Sequence, residues 1–158
     1  VRVAREAVAD AQVTTERHEI LLRTEHESLL GRWDRNRLHQ VLTNLLSNAI
    51  QYSPEGGRVE VALAQEGDDT VVVSVKDQGR GIPPEALPRI FERHYRTVAA
   101  SRSRSEGMGL GLYVTNGIVT AHGGRTWAES ELGKGSTFYF SLPMNANENG
   151  RGGALTDA

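Results

Sequence analysis

The sequence predicts an α+β chain folded as a two-layer sandwich, strands joined mostly as antiparallel hairpins and covered on one face by helices. Three observations predict it. Asp34–Pro54 places Leu38, Val41, Leu42, Leu45, Leu46, Ala49 and Ile50 at the i, i+3, i+4, i+7 spacing of one helical face. Arg58–Gln65 and Thr70–Asp77 carry alternating apolar residues on either side of Gly67-Asp68-Asp69, the pattern of a hairpin with one buried face. Arg125–Ser130 and Ser136–Leu142 form a second such pair around Glu131–Gly135. Hairpins with helices able to cover one face bury both kinds of element in a two-layer packing.

Each element follows in order. Residues 1–16 set Val1, Ala4, Val8 and Ala11 or Gln12 at helical spacing. That stripe is thin, so this helix is expected to lean on something outside the chain. His18–Thr24 reads as a short strand. In the central helix Asp34 is a good N-cap, and Ser53-Pro54 marks the stop because the residue before proline is pushed out of the α region. At about 100° per residue, Asn44, Asn48 and Gln51 share the face opposite the apolar stripe. Two asparagines inside a helix cost roughly 0.5–0.7 kcal/mol each relative to Ala. A merely solvated face is served more cheaply by Glu, Lys or Arg, so the row reads as carboxamides reserved for a ligand.

Past the first hairpin, the strand ending at Asp77 runs into Gln78-Gly79-Arg80-Gly81-Ile82-Pro83-Pro84. Turns favour Asp and Gly in any protein. At the end of a buried strand, however, glycines let a flat ring approach the backbone, and a carboxylate accepts from an exocyclic amine. Glu85–Arg96 reads as short helical turns with Ile90, Phe91 and Tyr95 apolar; Thr97–Glu106 has no periodicity and is expected to be mobile. Gly107-Met108-Gly109-Leu110-Gly111-Leu112 then opens a helix over Tyr113–His122, closed by Gly123-Gly124. Glycines entering a helix N-terminus leave amides free to face an anion. The spacing is neither a dinucleotide-binding fingerprint nor a P-loop. His122, in the last turn, reads as a cap. Residues 144–158 lack an apolar pattern and read as a disordered tail.

Composition narrows the function classes. The chain has 158 residues, one ordinary domain, with a formal charge of −2 and a pI near 6.2, which argues against a nucleic-acid surface. It has no cysteine, so disulfides, thiolate metal sites and cysteine nucleophiles are excluded. Its five histidines form no metal-ligating pair, and no apolar run approaches the roughly 20 residues of a membrane span. It begins without Met, in mid-pattern, as the soluble part of something longer would. The Asn44/Asn48 face, the Asp77 loop and the Gly107–Gly111 loop together offer a neutral oxygen for a hard cation, a carboxylate for a base amine and amides for phosphates. That combination describes a Mg-nucleotide site.

Four stretches carry a resemblance. NLLSNAIQYSP, DQGRGIPPEALPRIFERHYR, GMGLGLYVTNGIVTAHGG and GKGSTFYFSLP resemble, in order and spacing, the N, G1, F, G2 and G3 boxes of sensor histidine kinase catalytic domains. The resemblance spans Asp34–Pro143 and implies the Bergerat ATP-binding fold, a two-layer α/β sandwich with a mixed, mostly antiparallel sheet covered on one face by helices. It implies ATP and Mg²⁺ as cofactors, with Asn48 as the metal ligand, Asp77 reading adenine and Tyr52 touching the nucleotide. It implies nucleotide contacts from Asn44, Gln51, Gly79, Gly81, Ile82, Tyr95, Arg96, Gly107, Gly109, Leu110, Gly111, Leu112 and Thr137, with Asn44 and Arg96 also catalytic and Thr97–Glu106 the lid. On this reading residues 1–16 end a phosphotransfer helix and 17–143 form the catalytic domain.

Two positions depart from the pattern: Gln51 stands where the family usually has Lys, and His94 where Phe is common. Gyrase-type ATPases of this fold carry a Glu four residues before the metal-binding Asn; here that residue is Asn44, which cannot take a proton. Phosphoryl transfer to a protein is therefore favoured over hydrolysis. The resemblance implies an acceptor histidine on a domain outside this chain, a response regulator downstream, a monomeric isolated domain and a homodimeric, membrane-anchored parent with this domain in the cytoplasm. The other readings are a nucleotide sensor with weak or no catalysis, or a serine kinase or ATPase of the same fold. His18-Glu19 superficially resembles a phosphoacceptor motif, but two extra residues precede Arg23-Thr24 and no proline follows.

Overall fold

The computed structural model describes residues 1–93, 95, 110–144 and 156–158. Helix α1 (Arg2–Val13) leads to strand β1 (His18–Arg23), a short β2 (Leu30–Gly31) and the central helix α2 (Arg35–Tyr52). Strands β3 (Gly57–Glu66) and β4 (Thr70–Lys76) follow, then a 3₁₀ turn (Leu87–Arg89) and helix α3 (Gly111–Ala121). The chain returns through β5 (Arg125–Glu131), β6 (Gly135–Pro143) and a short β7 (Thr156–Asp157).

Helix α2 begins and ends where its sequence dictates. Asp34 is extended and its carboxylate accepts from the Arg37 amide at 3.1 Å. Leu38, Val41, Leu42, Leu45, Leu46 and Ala49 are all buried. Full burial is worth roughly 1.5–3 kcal/mol for each large apolar side chain. Those gains outweigh the propensity cost of Asn44 and Asn48 several times over, so packing sets this helix.

The five-stranded sheet has the order β1-β3-β4-β6-β5. Only the β1–β3 pair is parallel, with His18 opposite Gly57; the other three pairs are antiparallel. Val59, Val61 and Leu63 of β3, Val71, Val73 and Val75 of β4, and Phe138, Phe140 and Leu142 of β6 alternate inward. They form one core with the apolar face of α2 and with Val3, Ala4 and Ala7 of α1.

Helix α1 differs from expectation. It packs within this chain, on α2 and β1, through Val3, Ala4 and Ala7. The thin stripe misled because small alanines let two helices approach closely without large side chains. Gln12 fastens the turn that follows, donating to the carbonyl of His18 at 2.9 Å and accepting from the Ile20 amide at 2.9 Å. A second difference lies at the other end, where residues 156–158 are ordered. Strand β7 pairs with β2, and the Ala158 amide donates to the carbonyl of Leu29. Two-residue strands carry no periodicity, so neither could be read from sequence. Among the described residues of Glu85–Arg96 the expected helical turns form as successive i→i+3 bonds, Arg89 to Ala86, Glu92 to Arg89 and Tyr95 to Glu92, with a 3₁₀ turn at Leu87–Arg89 that contains Pro88.

Candidate functional site

The site forms where β4, α2, α3 and the β5–β6 hairpin meet. Beyond the last residue of β4, the Asp77 amide donates to the carbonyl of Ser136 at 2.9 Å. That bond places the carboxylate at the floor of a pocket, 3 % exposed. Its Oδ1 accepts from the Gly79 amide at 2.8 Å. Burial pushes the Asp77 carboxyl above the ordinary value of 3.8, while the backbone amides of Gly79 and Ser136 pull it back down.

The loop after Asp77 is pinned on both sides. Arg80 donates its amide to the carbonyl of Tyr52 at 3.2 Å and accepts from the Gly133 amide at 2.8 Å. The Ile82 amide donates to Ser130 Oγ at 2.7 Å. So close an approach requires the two glycines. A Cβ on Gly79 would lie 2.2 Å from the carbonyl oxygen of Tyr52. Gly81, at φ +73°, would put one 2.2 Å from the carbonyl oxygen of Glu131.

Pocket walls come from every layer. Tyr52 ends α2, Ile82 and Gly81 belong to the loop, Leu112 to the first turn of α3, and Ser136 and Phe138 to β6. Ile90 and Tyr95 close one side, with the Arg89 guanidinium 4.6 Å from the Tyr95 ring centroid. Arg80 stands at the rim, 5.9 Å from the Tyr52 ring. A mostly apolar slot with one buried carboxylate suits a flat aromatic ligand that offers a donor.

The carboxamide row divides. Asn44 donates from Nδ2 to the carbonyl of Gly111 at 3.3 Å and approaches Thr115 Oγ1 at 3.4 Å, tying α2 to the start of α3. Asn48 lies one turn further along the same face, half-buried. Gln51 lines a groove between α1 and α2 with Ala7, Asp10 and Ser47, away from the Asp77 pocket. Leu110 is the N-cap of α3 and makes no side-chain cap bond, and Gly111 is the first helical residue, two earlier than expected.

Thr137 does not line the pocket. It alternates to the other face of β6, opposite Lys76 and Glu129, whereas Ser136 and Phe138 face inward. The inward run Phe138, Phe140, Leu142 already carried that information, since period two brings Ser136 to the same side. Arg80, Ile90, Ser136 and Phe138 are pocket residues that the sequence reading passed over. Gly79 supports the floor from behind, beside Gln78 and Arg80. Arg96, Gly107, Gly109, His94 and the Thr97–Glu106 lid lie outside the described residues. His18 is buried, 6 % exposed, with Nε2 2.8 Å from the carbonyl oxygen of Ser53 and Nδ1 2.7 Å from Thr15 Oγ1. It is a structural link and is closed to a phosphate donor.

Residues 33–146 match the family described as histidine kinase-, DNA gyrase B- and HSP90-like ATPases. The sensor histidine kinase WalK of Bacillus subtilis is 40 % identical over 139 residues, covering 87 % of this chain and 23 % of WalK. The adaptive-response sensory kinase SasA of Synechococcus elongatus is 47 % identical over 111 residues, covering 70 % of this chain and 28 % of SasA. Among solved structures, the mycobacterial sensor histidine kinase MprB superposes with a TM-score of 0.80 at 28 % identity, over 90 % of this chain and 93 % of that one. The catalytic domain of histidine kinase ThkA gives 0.76 at 30 % identity, over 90 % and 92 %.

The fold and the buried-carboxylate pocket define an ATP-binding domain of this ATPase family. The chain belongs to it, as the catalytic ATP-binding domain of a sensor histidine kinase. It spans about a quarter of the length of the curated relatives it matches.

Proposed function

We propose that this chain binds Mg-ATP and passes the γ-phosphoryl group to a histidine on a phosphoacceptor domain outside it. The observation that carries the reading is the apolar pocket with Asp77 at its floor. Oδ1 is engaged by Gly79, which leaves Oδ2 to accept from an exocyclic amine of the base. Tyr52, Ile82 and Leu112 offer faces for the ring, as a flat purine requires. The uncapped first turn of α3 supplies amides for phosphate oxygens. ShkA, a structural relative with 31 % identity and a TM-score of 0.70, was solved in complex with AMPPNP, which supports a triphosphate here.

The donor set suits Mg²⁺. Among the described residues no group of three His, Asp or Glu gathers as a cage. A hard cation that keeps its waters and takes phosphate oxygens needs only a neutral protein oxygen such as Asn48 Oδ1. When bound, the metal would neutralise charge on the phosphates. Asn44 holds α3 against α2 and so fixes the distance between carboxamide row and phosphate-facing amides. Arg96 and the glycines Gly107 and Gly109 complete the site in this reading. Phosphoryl transfer asks of a protein mainly positioning and charge neutralisation, which these groups supply without a general base. Asn44, lacking a basic group, favours transfer over hydrolysis.

The parent, on the same reading, is a homodimer anchored in a membrane, with this domain in the cytoplasm and a response regulator as the next acceptor. No helix among the described residues is long and apolar enough to cross a membrane. Calorimetric titration with Mg-ATP tests the proposal. Asn48→Ala and Asp77→Asn are each expected to weaken binding at least tenfold. Undiminished binding in Asp77→Asn would remove the base-reading role on which the proposal depends.

A further inference from the structure

Ser130 and Ser136 face each other across the β5–β6 pair, with their hydroxyl oxygens 2.9 Å apart. Ser136 lines the pocket beside Asp77 and is 7 % exposed; Ser130 stands behind it. A hydroxyl has one proton and two lone pairs. At Ser130 these are accounted for one by one. The Ile82 amide donates into one lone pair at 2.7 Å. Ser130 gives its proton to the carbonyl oxygen of Gly135 at 2.9 Å. One lone pair remains for Ser136, and a lone pair calls for a donor.

We infer that Ser130 sets the base specificity of the pocket by taking the Ser136 proton, so that Ser136 presents only an acceptor to the ligand. The inference rests on the nucleotide reading above and names which purine edge that site selects. Two acceptors then line the polar floor, Asp77 Oδ2 and Ser136 Oγ. A 6-amino group brings two N–H donors to them. A 6-oxo group brings only lone pairs. Ser130 touches no ligand; it is a positioning residue whose effect passes through Ser136. Its loss lets the Ser136 hydroxyl rotate and offer a donor to the pocket.

The test is calorimetric titration of the whole chain with ATP and with inosine triphosphate, each with Mg²⁺. Wild type is expected to prefer ATP. Ser130→Ala should shrink that preference about tenfold, the worth of one hydrogen bond changed in sign. Ser130→Thr, which keeps the hydroxyl, should retain it. Ser136→Ala deletes the acceptor while sparing the Ser130 bond to Ile82, and should shrink the preference as well. Equal weakening of both nucleotides in Ser130→Ala, or an unchanged preference in Ser136→Ala, would overturn this inference and leave the nucleotide reading standing. A wild-type chain that binds neither triphosphate would overturn both.

Discussion

Asp77 is held where a carboxylate is useful to a ligand and costly to the fold. Its pKa is raised, chiefly by burial, so the folded chain holds the proton more tightly than the unfolded one. For an acid shifted upward, stability is greatest below the ordinary value of 3.8 and falls as pH rises through the window from there to the raised folded value. Asp77→Asn lacks that loss. Thermal melts should therefore show the variant gaining on wild type as pH climbs from below 4 towards neutrality, even as nucleotide binding is lost. A gap that stays constant with pH would contradict the shift. Gly81 makes a second prediction at this scale. A methyl there meets both a positive φ and the Glu131 carbonyl, strain of about 1–3 kcal/mol at the least. Gly81→Ala is expected to displace the loop and weaken ATP binding more than it lowers Tm.

Between elements, single polar bonds set the angles. His122 ends α3 with Nδ1 2.8 Å from the carbonyl oxygen of Ile118, while its Nε2 accepts from the Asp34 amide at 3.0 Å. The proton therefore sits on Nδ1, and one neutral imidazole staples the C-terminus of α3 to the N-cap of α2. His122→Ala should cost about 1 kcal/mol, a fall of about 2–4 °C in Tm, measurable by calorimetry. An unchanged Tm would mean that the two helices hold each other without the staple.

Elements with a strong period were legible in advance: α2 to within a residue at both ends, and the two hairpins with their turns. What escaped had physical reasons. Small-residue packing hid the partner of α1, and the β2–β7 pair is too short for any pattern. Thr137 occupies the motif position, but strand alternation turns it to the other face of β6 and gives the inward position to Ser136. Gln51 shares a helical stripe with Asn44 and Asn48, yet α1 covers that end of it. A helical wheel shows direction and says nothing about which neighbour stands there.

For the molecule as a whole, the site gathers residues from the loop after β4, from β6 and from two helices, while the proposed reaction takes its acceptor from outside this chain. The isolated chain is expected to be monomeric and to incorporate no label from radioactive ATP until a phosphoacceptor domain is supplied. Label on this chain alone would refute that division of labour. The sheet order also ranks how the backbone yields to solvent. Strand β4 is flanked on both sides, and its three inward valines are at most 2 % exposed. Its amides should exchange for deuterium only through global unfolding, whereas the edge strands β1 and β5 should exchange through local fraying. The Asp77 carboxylate directly follows this slowest strand, so its anchor should be the last part of the site to loosen.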